Sequence, residues 1–261
     1  MNDGGGAARP TIHRFADPAA LAEGAAAWIA DALAGAIAAR GQAGLALAGG
    51  NTPRALHRQL AARGEAIDWG AITVWFGDER CVPPDDVASN YRMARDTLLD
   101  RLPMAPAAVE RIAGERGPAD AAADYQRRLE LAPPLDLVVL GMGDDGHVAS
   151  WFPATPEPAP GALAVASLGP NPPHDRVTLT PRALAAADAI VLLVSGAAKA
   201  ARLAEVYGEL AAGRPTLPAA RASARPAVHW FLDEAAAAAL PDGTAAETID
   251  DPRAQRGKEL S

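Results

Sequence analysis

Residues 135–153, LDLVVLGMGDDGHVASWFP, join a continuous apolar run to a turn of glycines and charged side chains. An apolar run of this length predicts a strand of a parallel sheet that is covered on both faces. Similar runs recur as LALAG, ITVWF and AIVLLVSG, with helical segments between them. The pattern predicts an α/β fold with three layers, a doubly wound and mostly parallel sheet with helices on both faces.

The same periodicity gives the element boundaries. It predicts helices over residues 18–40, 53–63, 90–101, 118–130, 197–211 and 233–240, and strands over residues 44–48, 72–76, 135–140, 163–167, 176–180, 189–194 and 227–232. No linker clearly divides the chain, so we expect one α/β domain over residues 1–241, with strands 163–167 and 176–180 in the same sheet. Residues 242–261 are polar without an apolar period, which predicts a flexible tail.

Composition limits the class of protein. The net charge of −8 over 261 residues argues against general binding to nucleic acid or to anionic membranes. A single cysteine, Cys81, excludes an intrachain disulfide and fits a reducing compartment. The N-terminus lacks a signal-peptide pattern, and acidic residues interrupt the alanine-rich run 19–39, which predicts a soluble helix. An anionic ligand therefore needs a local cluster of cations.

Ligands of parallel sheets bind at the carboxyl ends of the strands, so the loops that follow the four apolar runs are the places to search. In the first, Gly49 and Gly50 close a strand, and Asn51 or Thr52 is expected to cap the next helix. Free amides at that helix end favour an anion. An ordinary strand-to-helix turn accounts for the glycines equally well.

The second loop begins with Asp78, Glu79 and Arg80. Such a group is most often a solvated charge cluster. The planar guanidinium of Arg80 could instead bind a phosphate through two charge-assisted hydrogen bonds. Cys81 is more typical of a small buried apolar residue than of a nucleophile.

The third loop reads G-x-G-x-x-G over residues 141–146, which is the pattern of a dinucleotide-binding turn. That reading is disfavoured because prolines from residue 153 onward leave no room for the long helix it needs. Asp144 and Asp145 would also repel a pyrophosphate. A metal site is disfavoured because the loop lacks a cluster of spaced His or Cys ligands.

A catalytic role makes fewer demands on this loop than a dinucleotide site or a metal site does. His147 offers an imidazole that can take a proton near neutral pH, and Asp145 could orient its ring, although a loop-capping aspartate is the ordinary alternative. The other histidines have no comparable setting and are expected to be structural or exposed: His13, His57, His174 and His229.

In the fourth loop, Gly196 ends a strand and Lys199 falls in the first turn of the next helix. Lys199 and Lys258 are the two lysines of the chain. A cation at a helix N-terminus opposes the helix dipole, so its presence favours an anion bound beside it. An exposed lysine without a ligand remains the alternative.

Five motifs, AGGNTP, GDERCVP followed by SNY, GMGDDGHVASWFP, RVTLT and SGAAKA, resemble the 6-phosphogluconolactonase family in order and spacing from about residue 12 to residue 240. The family lies in the glucosamine/galactosamine-6-phosphate isomerase superfamily. The resemblance implies a cytoplasmic enzyme of the oxidative pentose phosphate pathway that hydrolyses 6-phospho-D-glucono-1,5-lactone to 6-phospho-D-gluconate. It implies no metal or organic cofactor, and a fold shared with amino-sugar-phosphate deaminases and ribose-5-phosphate isomerases.

The resemblance also implies site residues. Those expected to bind substrate are Gly49, Gly50, Asn51, Thr52, Arg80, Arg176 and Lys199. His147 matches the family histidine and is expected to activate water, with Asp145 holding its tautomer and Arg176 or loop amides stabilising the oxyanion. The expected partner is a phosphorylated sugar lactone, with no nucleic acid and no membrane.

The chain departs from the family pattern at three positions. Ala48 and Asn51 stand where serines are common, and Val148 stands where threonine is frequent. Phe152 occupies the place of a glutamate that related deaminases have five residues after the histidine, which disfavours deamination. A non-catalytic sugar-phosphate sensor is the other alternative, although no helix-turn-helix segment or basic arm accompanies it.

Overall fold

A computed structural model of the chain describes residues 9–225, 227–241 and 243–244. The strands of this described part are β1 (Thr11–Phe15), β2 (Ala43–Leu47), β3 (Ile72–Phe76), β4 (Asp78–Arg80), β5 (Ala108–Val109), β6 (Leu137–Gly141), β7 (Ala164–Leu168), β8 (Asp175–Leu179), β9 (Ala189–Val194) and β10 (Val228–Asp233). Its α-helices are α1 (Pro18–Arg40), α2 (Asn51–Ala62), α3 (Asn90–Thr97), α4 (Pro118–Leu131), α5 (Pro181–Ala186), α6 (Ala200–Ala211), α7 (Pro218–Ser223) and α8 (Glu234–Ala237).

Seven strands form one sheet in the order β1-β10-β9-β6-β2-β3-β5. Every neighbouring pair in this sheet is parallel. From β2 the chain moves outward to β3 and β5, and it then returns to β6 on the other side of β2. The strand order therefore reverses between β2 and β6, which is where doubly wound sheets bind ligands beyond the strand ends. The predicted α/β, mostly parallel fold class is confirmed.

Continuous apolar runs predict the central strands because both faces of this sheet are covered. Successive side chains of a strand point to opposite faces, yet Leu137, Val138, Val139 and Leu140 of β6 are all buried. The alanine-rich helix α1 is long and apolar enough to cross a membrane by length and composition alone, but half of its apolar window is buried. Its buried residues join the core, as expected for a core helix of a globular protein.

A second sheet corrects the predicted topology. β7 and β8 do not join the main sheet but form a three-stranded antiparallel sheet with β4, in the order β4-β8-β7. Gly77 links the two sheets, because its N–H donates to the Leu47 carbonyl and its own carbonyl accepts from the Leu179 N–H, both at 2.8 Å. The prediction was wrong because an apolar run such as VTL indicates a strand but not the strand with which it pairs.

Several predicted boundaries also change. Helix 90–101 ends at Thr97, because Leu98 leaves the helical region with φ −132° and ψ −69°, and a 3-10 turn follows at Leu99–Arg101. Helix 197–211 divides into a 3-10 turn, Ala197–Lys199, and α6. Helix 233–240 shortens to α8. The short elements β1, β4, β5, α5 and α7 were not predicted.

The predicted tail, residues 242–261, lies outside the described residues except for positions 243 and 244. The boundary of a single domain at residue 241 stays a prediction. The N-terminal strand β1 pairs with β10 near the end of the described chain, from Thr11 beside His229 to Phe15 beside Asp233.

Candidate active site

A cleft of about 360 Å³ lies at the carboxyl ends of β2, β6 and β9, at the reversal of strand order, with β4 contributing one wall. Its lining comes from all four loops that the sequence singles out. The predicted site residues that line it are Gly49, Gly50, Asn51, Thr52, Arg80, His147 and Lys199. The sheet thus brings together groups that are up to 150 positions apart in the chain, since Gly49 and Lys199 face one cleft.

The first loop supplies backbone amides. α2 begins at Asn51, with Gly50 as the preceding cap residue at φ 102°, so neither Asn51 nor Thr52 caps the helix with its side chain, contrary to the prediction. Both residues instead lie in the first turn, where amide groups have no acceptor within the helix. The helix end therefore offers donors and partial positive charge to an anion in the cleft.

Gly49 allows a close approach between two loops. A Cβ atom at this position would lie 2.0 Å from Asn90 Oδ1. Asn90 cannot easily withdraw, because its Nδ2 donates to the Asp78 carbonyl at 2.9 Å and to Asp78 Oδ1 at 3.0 Å. The glycine is thus required by contact with Asn90 rather than by an unusual φ angle.

Among the described residues, Arg80 is a cation without a carboxylate partner. Its Nη1 donates to the Ala88 carbonyl at 2.7 Å, and its buried Nε has no hydrogen-bond partner among the described residues. Within the described part of the chain, none of the ion pairs involves Arg80. A guanidinium that lines a cleft with unused donors is suited to bind a phosphate.

The acidic neighbours of Arg80 are buried, so the expected solvated charge cluster is wrong. Glu79 is 3% exposed and accepts from the backbone N–H groups of Arg80, Asn90 and Tyr91 and from the Ser89 hydroxyl. Burial raises the pKa of the Glu79 carboxyl, and these hydrogen bonds oppose that rise. The carboxyl orders the turn that leads from β4 into α3.

Asp78 connects the start of α3 to the loop that carries His147, and sequence reasoning missed this role. Its Oδ2 accepts from the Ser150 hydroxyl at 2.6 Å, and its Oδ1 accepts from Asn90. Ser150 lies three residues after His147, and its carbonyl accepts from the Ser167 hydroxyl at 2.7 Å. The partners are 12 and 72 positions from Asp78 along the chain, so no local signal reveals them.

His147 and Asp145 form the pair that the sequence predicts. His147 Nδ1 lies 2.5 Å from Asp145 Oδ1, and the same oxygen accepts from the His147 backbone N–H at 3.1 Å. Burial alone would raise the pKa of Asp145, but the hydrogen bonds from His147 lower it overall. An ionised acceptor at Nδ1 favours the tautomer in which Nε2 is unprotonated and can accept a proton.

The His147 ring is held on two further sides. A Cβ atom at Gly143 would lie 2.1 Å from the ring, so only glycine fits there. The Phe152 ring packs against the imidazole with 4.6 Å between centroids and 49° between planes. An aromatic contact thus fills the position at which a deaminase would need its glutamate.

Lys199 reaches the cleft from the 3-10 turn after β9. Its N–H donates to the Gly196 carbonyl at 3.0 Å, and Gly196 is fixed by Asp233, which accepts from the Gly196 N–H and from the Ser195 hydroxyl. The ammonium group donates to Asp144 Oδ1 at 2.5 Å. The anion beside this cation in the structure is therefore a side chain of the third loop.

Arg176 is not among the residues that line the cleft, unlike the other predicted substrate-binding residues. It is 7% exposed, its Nε donates to the Pro173 carbonyl at 2.7 Å, and its Nη2 donates to the Asn171 carbonyl at 3.2 Å. It pairs across β4 and β8 with Arg80, and burial together with the Arg80 charge lowers its pKa. These hydrogen bonds tie Arg176 to the β7–β8 loop, and its role in binding substrate or stabilising an oxyanion stays a prediction.

The cysteine and the core histidines lie outside the chemistry of the cleft. Burial raises the pKa of the Cys81 thiol to about 11, with the Asp175 and Glu79 charges adding to it, which disfavours a thiolate nucleophile. His57 is fully buried, and His13 is 2% exposed and stacks on His229. The described residues contain no group of three or more His, Cys, Asp or Glu side chains that could hold a metal ion.

Known proteins resemble this chain over most of its length. A family model described as "Glucosamine-6-phosphate isomerases/6-phosphogluconolactonase" matches residues 16–230. The chain is 37% identical over 245 residues to the 6-phosphogluconolactonase of Mycobacterium tuberculosis, covering 88% of this chain and 98% of that one. It is 41% identical over 203 residues to the 6-phosphogluconolactonase of Rhizobium meliloti, covering 74% and 86%.

A solved structure is also similar along nearly the whole chain. The 6-phosphogluconolactonase from Trypanosoma cruzi superimposes with a TM-score of 0.78 at 26% identity, covering 92% of this chain and 98% of that one.

Proposed function

The chain belongs to the family of glucosamine-6-phosphate isomerases and 6-phosphogluconolactonases, and from this premise we propose how its cleft hydrolyses 6-phospho-D-glucono-1,5-lactone. The enzyme opens this lactone to 6-phospho-D-gluconate, the lactone-hydrolysis step of the oxidative pentose phosphate pathway. The observation that carries the proposed roles is one cleft with a carboxylate-oriented imidazole and two cationic side chains, Arg80 and Lys199.

The phosphate binds at the positive side of the cleft. Arg80 offers guanidinium N–H groups that bind no carboxylate of the described residues. Lys199 offers its ammonium group, and the first turn of α2 offers amides. Together they bind the 6-phosphate through charge-assisted hydrogen bonds. Anchoring the phosphate places the lactone carbonyl on the side of the cleft that His147 lines.

The chemical step needs one base that later acts as an acid. His147 Nε2 takes a proton from water while the water oxygen forms a bond to the lactone carbonyl carbon. The tetrahedral intermediate then collapses, the bond from that carbon to the ring oxygen breaks, and His147 returns its proton to the ring oxygen. Asp145 keeps the imidazole in the useful tautomer and stabilises its protonated form. The product is the open-chain acid, and the enzyme is regenerated.

Deamination of an amino sugar phosphate is the less favoured activity. It needs a titratable group where this chain has Phe152, which is 8% exposed and packs on the imidazole. A non-catalytic sensor would have no use for the Asp145–His147 pair. We further propose that the protein acts in the cytoplasm without nucleic acid or membrane partners.

A coupled assay with freshly prepared phosphogluconolactone tests the function. The enzyme should accelerate product formation well above the spontaneous hydrolysis measured in parallel, and it should release no ammonia from glucosamine-6-phosphate. Binding of the phosphorylated lactone without acceleration would support the sensor instead. Ammonia release would support the deaminase.

A further inference from the structure

Lys199, the cation of the cleft that precedes α6, already forms an ion pair. Lys199 Nζ donates to Asp144 Oδ1 at 2.5 Å, and the Lys199 side chain is 23% exposed while that of Asp144 is 82% exposed. Lys199 lines the cleft, whereas Asp144 does not. The carboxylate thus reaches the ammonium group from the solvent side.

The loop does not depend on this carboxylate for its shape. The Asp144 backbone carbonyl accepts from Arg202 Nε at 3.1 Å, and the Gly146 carbonyl accepts from the Ala219 N–H at 2.9 Å. On the inner side, the Gly143 N–H donates to the His147 carbonyl at 2.9 Å. The Asp144 side chain can therefore leave Lys199 without moving the catalytic loop.

We propose that the Asp144 carboxylate competes with the substrate phosphate for Lys199 and thereby lowers the affinity of the cleft for phosphorylated ligands. This inference rests on the proposed function, in which Lys199 binds the 6-phosphate. Asp144 carries a single charge and is largely hydrated, so water screens its attraction to Lys199 and a phosphate dianion displaces it. A neutral sugar lactone has no phosphate to bind Lys199, so its affinity does not depend on this competition.

The charge state of Asp144 agrees with this role. The hydrogen bond and the positive charge of Lys199 lower the pKa of its carboxyl. Asp144 therefore stays ionised at neutral pH, where the phosphate monoester is largely a dianion.

Asp144→Asn tests the proposal, because it removes the charge and keeps the size of the side chain. The KM for the phosphorylated lactone should fall about two- to tenfold, the range expected for removal of a solvent-exposed competing charge beside a dianion. The inhibition constant of inorganic phosphate should fall by a similar factor. The KM for unphosphorylated glucono-1,5-lactone should not change.

Asp100→Asn is the matched control, since Asp100 is a similarly solvated aspartate that pairs with Arg95 away from the cleft, with a side chain 65% exposed. It changes the net charge by the same amount and should alter none of these constants. Melting temperatures of both variants establish that each is folded.

Three outcomes overturn the proposal. An unchanged KM in Asp144→Asn would show that no competition takes place, and a raised KM would show that Asp144 orients Lys199 for binding. An equal fall in KM for the unphosphorylated lactone would show that Asp144 does not act through competition with the phosphate. Lys199→Met separates this failure from that of the proposed phosphate site: if Lys199→Met leaves KM unchanged, Lys199 binds no phosphate and both proposals fail.

Discussion

The two ends of the main sheet both carry clefts lined by charged residues, but only one has unused charge. The cleft at the amino ends of the strands has a volume of about 480 Å³, and that at the carboxyl ends has a volume of about 360 Å³. In the larger cleft Arg40 pairs with Asp136 and Asp188, and Arg128 pairs with Glu110 and Asp124. Its lining cations are therefore neutralised by carboxylates.

At the carboxyl ends the balance between cations and carboxylates differs. Within the described residues Arg80 has no carboxylate partner, and Lys199 has one that is mostly in water. Glycines replace side chains at the strand ends, so backbone amides and an imidazole reach the same space. Cleft volume is thus a poor guide to function, whereas a cation without a carboxylate partner near a titratable group is a good one.

Removing the His147 imidazole from the carboxyl-end cleft should have the largest effect on activity. His147→Ala should lower kcat about 10²- to 10⁴-fold, the usual contribution of a positioned general base, as measured in the coupled assay. His174→Ala is the control, because His174 lies on the exposed β7–β8 loop with its Nδ1 2.8 Å from the Gly169 carbonyl oxygen. A His147→Ala enzyme with full kcat would show that the carboxyl-end cleft is no more catalytic than the other.

Arginine substitutions at the two ends test the importance of unpaired charge. Arg80→Ala should raise KM about 10- to 150-fold, corresponding to about 1.5–3 kcal/mol for a hydrogen bond to a charged group. Arg40→Ala, at the opposite cleft, should leave KM unchanged although it removes an ion-paired guanidinium. Equal KM values for both variants would remove Arg80 from the phosphate site.

Strand β2 runs between the two clefts and has a glycine near each end. Gly49→Ala should lower the free energy of unfolding by about 1–3 kcal/mol, because its Cβ would collide with the fixed Asn90 side chain. Gly44→Ala places its Cβ 3.5 Å from Leu135, an ordinary contact, and should leave stability unchanged or raise it by up to about 1 kcal/mol. Denaturant unfolding measures both, and equal effects would refute the tight contact at the carboxyl end.

His57, unlike the histidine of the cleft, is fully buried, and its protonation should affect stability. Burial, with a contribution from the Arg54 charge, lowers the pKa of His57 from 6.5 to about 3, and its Nε2 has no partner among the described residues. Between these values the unfolded chain takes up a proton that the folded chain does not, so stability falls as pH falls through this window.

The same proton linkage gives the expected size of this loss of stability. His57 should contribute about 1 kcal/mol to the loss of stability between pH 6.5 and pH 5.5. His57→Leu removes this titration, so its unfolding free energy should depend less on pH than that of the unchanged protein. Parallel pH profiles of the two proteins would show that His57 does not resist protonation.

The sequence predicted the sheet well because its strands are buried on both faces. The runs around Leu45, Val74 and Leu140 are continuously apolar, and runs this short and this apolar are typical of strands with no face in water. The loops at the strand ends then locate Arg80, His147 and Lys199 without further information. β1 escaped prediction because TIHRF mixes polar and apolar residues over a short span.

The properties that the sequence did not predict depend on partners that are distant along the chain. The burial of Asp78 and Glu79 depends on Asn90, Ser89 and Ser150, and a residue's own neighbours do not indicate such partners. Arg176 has the residue type of a phosphate ligand, but two of its donors bind carbonyls of the β7–β8 loop and it does not line the cleft. Residue type therefore indicates what a side chain could bind, and the contacts with distant residues depend on the fold.

The position of Gly77 between the two sheets affects the distance between the Arg80 guanidinium and the His147 imidazole. Because the chain passes through this residue from the large sheet to the small one, Arg80 stands on one sheet while His147 follows a strand of the other. The span between the guanidinium and the imidazole thus depends on how the two sheets meet, and this span bears on the length of sugar that fits between the proposed phosphate anchor and the proposed base. A related enzyme could accept a longer or shorter substrate by tilting one sheet on the other, with every reacting group left in place.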